Sequence, residues 1–443
     1  MTEAEEAPWI ATYFKLREFL DTYDKQRRFR FAPDLEEKFR KLRERLREDF
    51  VRWEAGGDLK VAIEWVEVFK RDLSAVEKEL GLRGALLSKE FKSFVEDPLA
   101  HLKKKIFIYL HDLLRGKIRA EEFERTAGAA VRTSLRTNMR TVYQSWVFIT
   151  LLRLLGEQGA RIVYPEHKCL LLERSGRQKA GGIPPNCIIH LERGGSLSFF
   201  LEAPRPIGWE DTEDLKKAWS LYTAMRPDML VYAGEVMDIV RLGEDPPILR
   251  PNIVIECKEL SDWYLRAREI RGPFAKPLTA EEWRSKWLEG LWEGLADVLG
   301  VKRSEAIAKV EEKKAMRLKD LQIVALYRSL YKPDAMFLVS RDKVPREVKS
   351  YLENRGIEVV DGVGFNMQNL KPLAERLMEM ARKVRTKEII ELRDEGLRLL
   401  DKVMRLVESQ GIRASKEDVI INALRLALSQ EHYYLELLKR NKA

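Results

Sequence analysis

Three residues whose types suit metal-assisted hydrolysis lie on two short apolar segments in the middle of the chain. Asp228 follows Pro227 at the start of the segment DMLVYAG, and Glu256 and Lys258 stand near the end of the segment NIVIECK. Both segments have the apolar content of buried β-strands, and residues two apart on a strand point to the same face. The pattern therefore predicts that one Asp, one Glu and one Lys meet at neighbouring strand ends.

The chemistry of such a cluster follows from its oxygen atoms. The carboxylates of Asp228 and Glu256, with the backbone carbonyl of Cys257, are hard ligands of the kind that Mg²⁺ or Mn²⁺ prefers. A metal held there would lower the pKa of a bound water and offset the charge that develops on a phosphorus centre. Lys258 would orient or deprotonate that water, or stabilise the pentavalent state. The alternative is a buried ion pair at a sheet edge, with Asp228 as a turn residue.

The elements that must position these residues alternate between strands and helices. An apolar-striped helix is predicted at 133–156 and a long basic helix at 304–331. A further helix is predicted from Pro345 to Asn354. Strands are predicted at 161–165, 168–173, 186–191, 197–202, 228–234, 252–258, 334–340 and 357–363. This order indicates an α/β fold with a mixed β-sheet core flanked by helices.

The chain resembles the PD-(D/E)XK nuclease superfamily over about residues 133–363. The resemblance rests on Pro227-Asp228 followed by Glu256-Cys257-Lys258, both on predicted strands, with a helix before the sheet and a strand, helix and strand closing the unit. It implies a restriction-endonuclease-like fold and hydrolysis of DNA with Mg²⁺ or Mn²⁺, and we expect an endonuclease. Carried over, it makes Asp228 and Glu256 metal ligands and Lys258 the catalytic lysine.

Two further family features have only partial counterparts here. Many members carry a carboxylate on the first helix, where this chain offers Gln144 or, at the helix end, Glu157. Some exonuclease-type members carry a Q-x-x-x-Y motif on the following helix, whereas Gln322 and Tyr327 are separated by one residue more. The resemblance implies that Gln322 and Tyr327 contact a DNA strand, and it leaves a further metal ligand open.

The positive charge of the chain is concentrated in two segments. The net charge is +9, of which residues 301–332 contribute +5 and residues 382–443 contribute +4, so the remainder is balanced. Such a distribution is typical of phosphate-contacting proteins, although a solvated helix face has the same composition. The basic residues expected to bind nucleic acid in the first segment are Lys309, Lys313, Lys314 and Arg317.

Three parts are predicted along the chain. Residues 1–130 read as an all-α N-terminal lobe, and residues 131–365 as the nuclease core with a Trp-rich helical insertion near 261–303. Residues 366–443 read as a small, mostly helical C-terminal module. Its strand, helix and helix resemble ribbon-helix-helix DNA-binding modules, with Lys387 among the outward-facing strand residues. A tail that packs on the core or forms a homodimer fits equally well.

Composition excludes several classes of protein. The chain contains no stretch of eighteen apolar residues and begins with an acidic segment, so no membrane association and a cytoplasmic location are expected. Cys169, Cys187 and Cys257 are too far apart for a CxxC pair, which argues against a disulfide framework or a structural zinc site. The high content of Lys, Glu and Arg indicates a thermophilic source.

We therefore predict a divalent-metal-dependent deoxyribonuclease that acts on DNA. The alternative is a nucleic-acid-binding or scaffold protein on the same fold that does not cleave and that serves a defence or repair assembly. A third hypothesis is a transcriptional regulator that binds DNA through residues 382–443 alone. Metal-dependent cleavage separates the first hypothesis from the other two.

Overall fold

The computed structural model shows two compact units, Met1–Thr386 and Lys387–Ala443. It describes residues 7–175, 183–192, 194–203, 226–240, 249–270, 286–313, 316–383 and 394–409, with a few single positions after 418. The first unit contains both the predicted helical lobe and the predicted core. In the second unit, Lys387 lies outside the described residues.

The N-terminal part of the first unit is helical, as predicted. Helices α1 (Pro8–Tyr23) and α2 (Pro33–Glu79) both begin with a proline, whose fixed φ and missing N–H suit the first helical turn. Helix α2 is kinked at Gly56, where φ is +50°. Three short helices follow a strand: β1 (Gly84–Leu87), α3 (Lys89–Glu96), α4 (Pro98–Lys105) and α5 (Phe107–Leu114).

Helix α6 (Ala120–Glu157) joins this helical part to the sheet. It has 38 residues and crosses the predicted boundary at residue 130. Its first half is amphipathic, whereas every residue from Val142 to Leu152 is buried. A helix that is buried all round must be covered on all sides. Here α2 packs along one side and the sheet along another, so lobe and core share one hydrophobic interior.

The central sheet has seven strands in the described part of the chain, in the order β11-β10-β7-β6-β5-β4-β2. The strands that precede the predicted site and contain it are β2 (Arg161–Tyr164), β4 (Cys187–His190), β5 (Ser196–Leu201), β6 (Met229–Ala233) and β7 (Ile253–Lys258). Successive neighbours from β2 to β7 pair antiparallel. Strand β3 (Cys169–Leu172) instead pairs parallel with β1 in a separate two-stranded sheet.

A smaller group of elements covers the second face of the sheet. It consists of β8 (Ala267–Ile270), α7 (Lys286–Leu299), α8 (Arg303–Lys313), β9 (Met316–Lys319) and α9 (Asp320–Tyr331). The prediction of one basic helix over 304–331 is wrong, because β9 interrupts it and pairs antiparallel with β8. A helix-period pattern cannot detect such pairing with a distant segment. Arg317 consequently lies on a strand, where it is exposed.

The remaining elements agree with the prediction. Strand β10 (Ala335–Ser340), helix α10 (Arg346–Glu353) and strand β11 (Ile357–Val360) close the sheet, and β7, β10 and β11 run parallel. Helix α11 (Lys371–Lys383) packs against α6, and α12 (Asp394–Ser409) belongs to the second unit. The first unit is thus a mixed α/β structure with a mixed sheet.

Alternation along β7 explains how the sheet separates two hydrophobic cores. Ile253 and Ile255 belong to the core shared with α6, whereas Val254 belongs to the core shared with α9. All six residues of β7 are buried, as its apolar sequence predicts for a strand covered on both faces. The two polar residues at its end, Glu256 and Lys258, are therefore held in a rigid and largely dry setting.

Candidate active site

The register between β6 and β7 brings the predicted carboxylates together. Met229 lies opposite Ile255, which places Asp228 opposite Glu256 one step further along the antiparallel pair. The backbone N–H of Asp228 donates to Glu256 Oε2 at 3.2 Å. Both side chains are buried, with 7% of Asp228 and 3% of Glu256 exposed. The prediction that these two residues meet at neighbouring strand ends is confirmed.

Lys258 joins the pair from the same face of β7. Its Nζ donates to Glu256 Oε1 at 2.7 Å and lies 5.6 Å from the ring centroid of Trp263. The alternation of the strand requires this arrangement, since residues 256 and 258 share a face. The structure thus brings the three predicted residues into one cluster. Cys257 points to the opposite face, and its N–H donates to Asp228 Oδ2 at 2.7 Å.

Helix α6 contributes a fourth polar side chain to the cluster. The amide of Gln144 donates from Nε2 to Asp228 Oδ1, and Gln144 is itself buried. Glu157, the alternative that the sequence left open, is exposed at the end of α6. A turn of the Gln144 amide about its last bond would present its oxygen instead of its nitrogen to Asp228. Gln144 is therefore the helix residue placed to join the carboxylates.

Burial and like charge determine the electrostatics of the pair. Removal from water and the nearby charge of Glu256 raise the pKa of Asp228 well above its usual range, against the opposing charges of Lys258 and Arg140. Burial also raises the pKa of Glu259, the residue that follows Lys258 in the chain. Two carboxylates in a dry pocket repel one another, and a cation between them would relieve that repulsion.

Arginines surround the carboxylate pair in a cavity of about 330 Å³. None of them was singled out in the sequence. They are Arg136, Arg140, Arg174, Arg226 and Arg266. A signal did exist, because Arg136, Arg140 and Gln144 recur every fourth residue of α6 and so share one helix face. Arg174 and Arg226 come from segments outside regular elements, and no local periodicity marks them.

Two of these arginines carry a buried donor atom without a hydrogen-bond partner. They are Arg140 and Arg226, and the atom in each is Nε. Burial alone would lower the pKa of Arg140, but the surrounding acids Asp228, Glu202, Glu259 and Glu256 raise it, so the guanidinium stays charged. A buried donor without an acceptor is costly. An anionic oxygen within hydrogen-bond distance of either Nε would supply the missing acceptor.

The donor set near the pair fits a divalent metal with few protein ligands. Within the described residues, no group of three or more His, Cys, Asp or Glu side chains is arranged to hold a metal ion. Mg²⁺ binds through one or two carboxylates and keeps several water molecules, so Asp228 and Glu256 satisfy its requirement. The amide oxygen of Gln144 and the carbonyl of Cys257 are the further hard donors that these two residues can supply.

A second and larger cavity also has Asp228 in its lining. Its volume is about 980 Å³, and it runs along α6 from Thr126 to Gln144. The α6 face that lines it carries mainly small and hydroxyl side chains, among them Thr133, Thr137 and Thr141. Asp228 thus lines both the arginine cavity and a groove whose α6 wall is uncharged. The other walls of that groove carry the charged residues Lys89, Glu90, Lys105, Glu173, Arg174 and Glu202.

The side chains of three residues predicted to bind nucleic acid are described, and they differ in their surroundings. Tyr327 lines the arginine cavity and donates from its hydroxyl to the backbone carbonyl of Arg226 at 3.2 Å. Gln322 is engaged at both ends of its amide, accepting from Lys319 N at 2.9 Å and donating to Val298 O at 2.7 Å, so it fixes the start of α9. Arg317 is exposed on β9.

The side chains of the other residues predicted to bind nucleic acid lie outside the described part of the structure. Lys309 and Lys313 lie on α8, but their side chains are outside the described residues, as are Lys314 and Lys387 altogether. Nucleic-acid binding by these four residues stays a prediction.

Comparison with known proteins gives no family assignment. No protein-family model, no curated protein and no solved structure matches the chain. In the described part of the chain, no helix is long and apolar enough to cross a membrane.

Proposed function

We propose that the protein is a divalent-metal-dependent nuclease with a restriction-endonuclease-like core, and that it hydrolyses DNA phosphodiester bonds within the strand. The observation that carries the proposal is the buried pair of Asp228 and Glu256, joined to Lys258 and surrounded by arginines. Carboxylates bind cations and arginines bind anions, and a phosphodiester with a bound metal ion contains a cation and an anion.

Each residue of the site has a role in this proposal. Asp228 and Glu256 would hold Mg²⁺ or Mn²⁺, with the Gln144 amide oxygen or the Cys257 carbonyl as a further donor. When bound, the metal would supply an activated water and neutralise charge at the phosphorus. Lys258 would orient that water and donate to a developing oxyanion.

The arginines would hold the phosphate. Arg140 and Arg226 each have an Nε donor that awaits an acceptor, and the non-bridging phosphate oxygens are suitable acceptors. Tyr327 would act through Arg226, since its hydroxyl fixes the backbone carbonyl of that residue. Binding of the phosphate would also exclude water from the arginine cavity, which strengthens each charge interaction inside it.

The test is cleavage of defined DNA substrates by purified protein. Supercoiled plasmid, linear duplex and single-stranded DNA would be incubated with Mg²⁺, Mn²⁺ or EDTA, using the wild type, Glu256→Gln and the exposed control Glu353→Gln. We expect the wild type and Glu353→Gln to nick or linearise plasmid with metal, and Glu256→Gln to be inactive. Equal activity of Glu256→Gln would remove this site from the reaction.

The second candidate is a nucleic-acid-binding protein on the same fold that does not cleave. One observation favours it: every oxygen of the carboxylate pair already accepts a hydrogen bond from Gln144, Cys257, Lys258 or the Asp228 backbone. Such a pair can act as a self-contained structural ion cluster. Binding of DNA by the wild type with no cleavage in either metal would select this candidate.

A further inference from the structure

A concave basic surface lies in the helical part of the first unit, away from the carboxylate pair in the sequence. It is formed by the α1–α2 loop and the segment between α5 and α6, and it encloses about 790 Å³. We call it the basic cradle. Its charged lining residues are Lys25, Arg27, Arg28, Arg30, Arg115 and Lys117. The one other lining residue is the neutral Gln26, so the lining is entirely polar and contains no acid.

The cradle loop is held in a defined shape by its own residues. The carboxylate of Asp24 accepts from the backbone N–H of Arg28 at 3.0 Å and of Phe29 at 2.6 Å. Phe29 and Phe31 pack on the ring of Phe39, with centroids 5.7 and 4.9 Å apart. Phe29 adopts a positive φ of +55°, a conformation that a bulky residue rarely adopts and that the surrounding contacts must stabilise.

The alternation of Arg and Phe in this loop has a consequence for charge. Phe29 and Phe31 pack against Phe39 of the lobe, whereas Arg28 and Arg30 between and beside them are exposed. Arg115 approaches from the opposite segment and lies 5.9 Å above the Phe29 ring. The aromatic side chains thus fix the loop so that its arginines face the concavity.

Most of the charge in the cradle is not neutralised by the protein. Arg27 pairs with Asp21, and Lys117 pairs with Asp112 at 3.2 Å. Within the described residues, the other four cations, Lys25, Arg28, Arg30 and Arg115, form no ion pair.

The neighbouring helix differs in this respect. On α2, Lys41 pairs with Glu37 at 2.7 Å and Arg52 pairs with Glu48 at 2.8 Å. Converging cations without acids repel one another, and a polyanion would convert that repulsion into binding.

Helix α6 fixes the separation between the cradle and the carboxylate pair. Arg115 and Lys117 come just before α6, which begins at Ala120, and Gln144 lies 24 residues further along the helix. At 1.5 Å per residue this is about 36 Å along the helix axis. One turn of B-form DNA is about 34–36 Å long. The α6 groove from Thr126 to Gln144 covers most of this distance.

We propose that the basic cradle binds the phosphate backbone of a nucleic acid, about one duplex turn from the carboxylate pair. The proposal rests on the proposed function in one respect, namely that the same nucleic acid reaches Asp228. A hydrated phosphate chain suits the cradle better than a membrane does, because every lining side chain is polar and none could insert among lipid tails.

The experiment measures DNA binding by the full-length protein in EDTA, so that cleavage plays no part. A fluorescein-labelled duplex of about 30 base pairs, long enough to span both sites, is titrated by anisotropy between about 50 and 200 mM salt. The variant is Arg28→Ala/Arg30→Ala. The matched control is Arg346→Ala/Lys371→Ala, which removes two exposed charges, at the starts of α10 and α11, that form no ion pair in the described part of the chain.

We expect the cradle variant to weaken binding about tenfold at the lower salt concentration and to lower the slope of log Kd against log salt by about two. The control should match the wild type in both. An unchanged slope in the cradle variant, an equal loss in the control, or no binding of DNA by the wild type would each overturn the proposal.

A parallel assay separates nucleic acid from lipid as the polyanion. Vesicles of phosphatidylserine and phosphatidylcholine are sedimented with the same three proteins. Loss of vesicle binding by Arg28→Ala/Arg30→Ala, with DNA binding intact, would overturn the proposal in favour of a membrane surface. If DNA binding depends on the cradle but no cleavage occurs in Mg²⁺, the cradle proposal is upheld and the nuclease proposal is rejected. If cleavage occurs but DNA binding does not depend on the cradle, the nuclease proposal is upheld and the cradle proposal is rejected.

Discussion

The two basic surfaces of the first unit use arginine in opposite ways. Around the carboxylate pair the arginines lie beside acids. Glu202 pairs with Arg174, and its Oε1 lies 3.7 Å from Nη2 of Arg140. In the basic cradle, Arg28 and Arg30 are exposed and face other cations. Compensated, part-buried charge suits the orientation of one phosphate, whereas uncompensated, exposed charge suits attraction that is independent of sequence. The comparison predicts that pocket substitutions change chemistry and cradle substitutions change affinity.

The largest expected effect is that of removing a carboxylate from the pair. Asp228→Ala should abolish Mg²⁺-dependent cleavage, because Glu256 alone would be left to hold the cation. DNA binding in EDTA should stay close to that of the wild type, since the arginines and the cradle are untouched. Initial rates with increasing Mg²⁺ would test this, and activity that returns at saturating metal would take Asp228 out of the site.

Lys258→Ala should have the next largest effect. We expect cleavage to fall about a hundredfold or more, the scale for losing one preorganised electrostatic group. DNA binding should be almost unchanged, because Lys258 is buried against Glu256 and Trp263. Single-turnover rates and anisotropy on the same duplex would separate the two quantities. A loss confined to binding would make Lys258 a phosphate contact instead of a catalytic residue.

Substitutions of Arg140 test whether an arginine of the cavity affects the cleavage rate. Arg140→Ala should lower the cleavage rate about thirtyfold, since a charge-assisted contact to a phosphate oxygen would be lost. Arg140→Lys should restore only part of it, because an ammonium cannot reproduce the planar fork of the guanidinium. Arg132→Ala, also on α6 but outside the arginine cavity, is the control. Full rescue by lysine would indicate that only charge matters at this position.

The sequence was sufficient to identify the carboxylate pair because its signal is local. The apolar runs before Asp228 and Glu256 predict buried strands, and the spacing of Glu256 and Lys258 predicts a shared face. The structure confirms both strands and their meeting. The coarse α/β class followed from the same periodicities, although the restriction-endonuclease-like fold itself stays a proposal.

Features that depend on distant pairing or on irregular segments could not be predicted. Strand β9 lies inside a helix-like sequence pattern, and because its partner β8 is far away in sequence, no local signal indicates the pairing. Arg226 lies beside Asp228 in sequence, yet its buried Nε is visible only in the folded chain. The cradle loop gives no signal in the net charge of long segments, because acids of α2 offset the four arginines and lysines at residues 25–30.

The cradle should act on affinity in turnover as well as in binding. With a long duplex, Arg28→Ala/Arg30→Ala should raise KM about tenfold at low salt and leave kcat unchanged, because the cradle does not touch the reacting phosphate. A duplex of eight base pairs spans only about 27 Å and cannot reach the cradle from the carboxylate pair. Wild type and variant should therefore be equal on the short duplex, and a kcat defect on either duplex would contradict the division of roles.

The smallest effect concerns stability, where the two surfaces should differ in their response to pH. The raised pKa of Asp228 means that the folded protein holds this proton to higher pH than the unfolded chain does. Stability without metal should therefore fall as pH rises from about 4 through the raised pKa. In Asp228→Asn this fall should disappear, because the asparagine amide does not titrate. Gln144 can turn its own amide so that its oxygen accepts from the new donor.

At pH 7 in EDTA we expect Asp228→Asn to exceed the wild type by on the order of 1 kcal/mol in the free energy of unfolding. Arg28→Ala/Arg30→Ala should give a wild-type pH profile and a gain of only a few tenths of a kcal/mol that vanishes in high salt, because exposed charges are screened. Urea titrations from about pH 4 to pH 8 would measure both differences. Parallel profiles of unfolding free energy against pH for wild type and Asp228→Asn would show that Lys258 and Arg140 already balance the charge of Asp228. The arginine cavity and the basic cradle would then not differ in the energetic way proposed here.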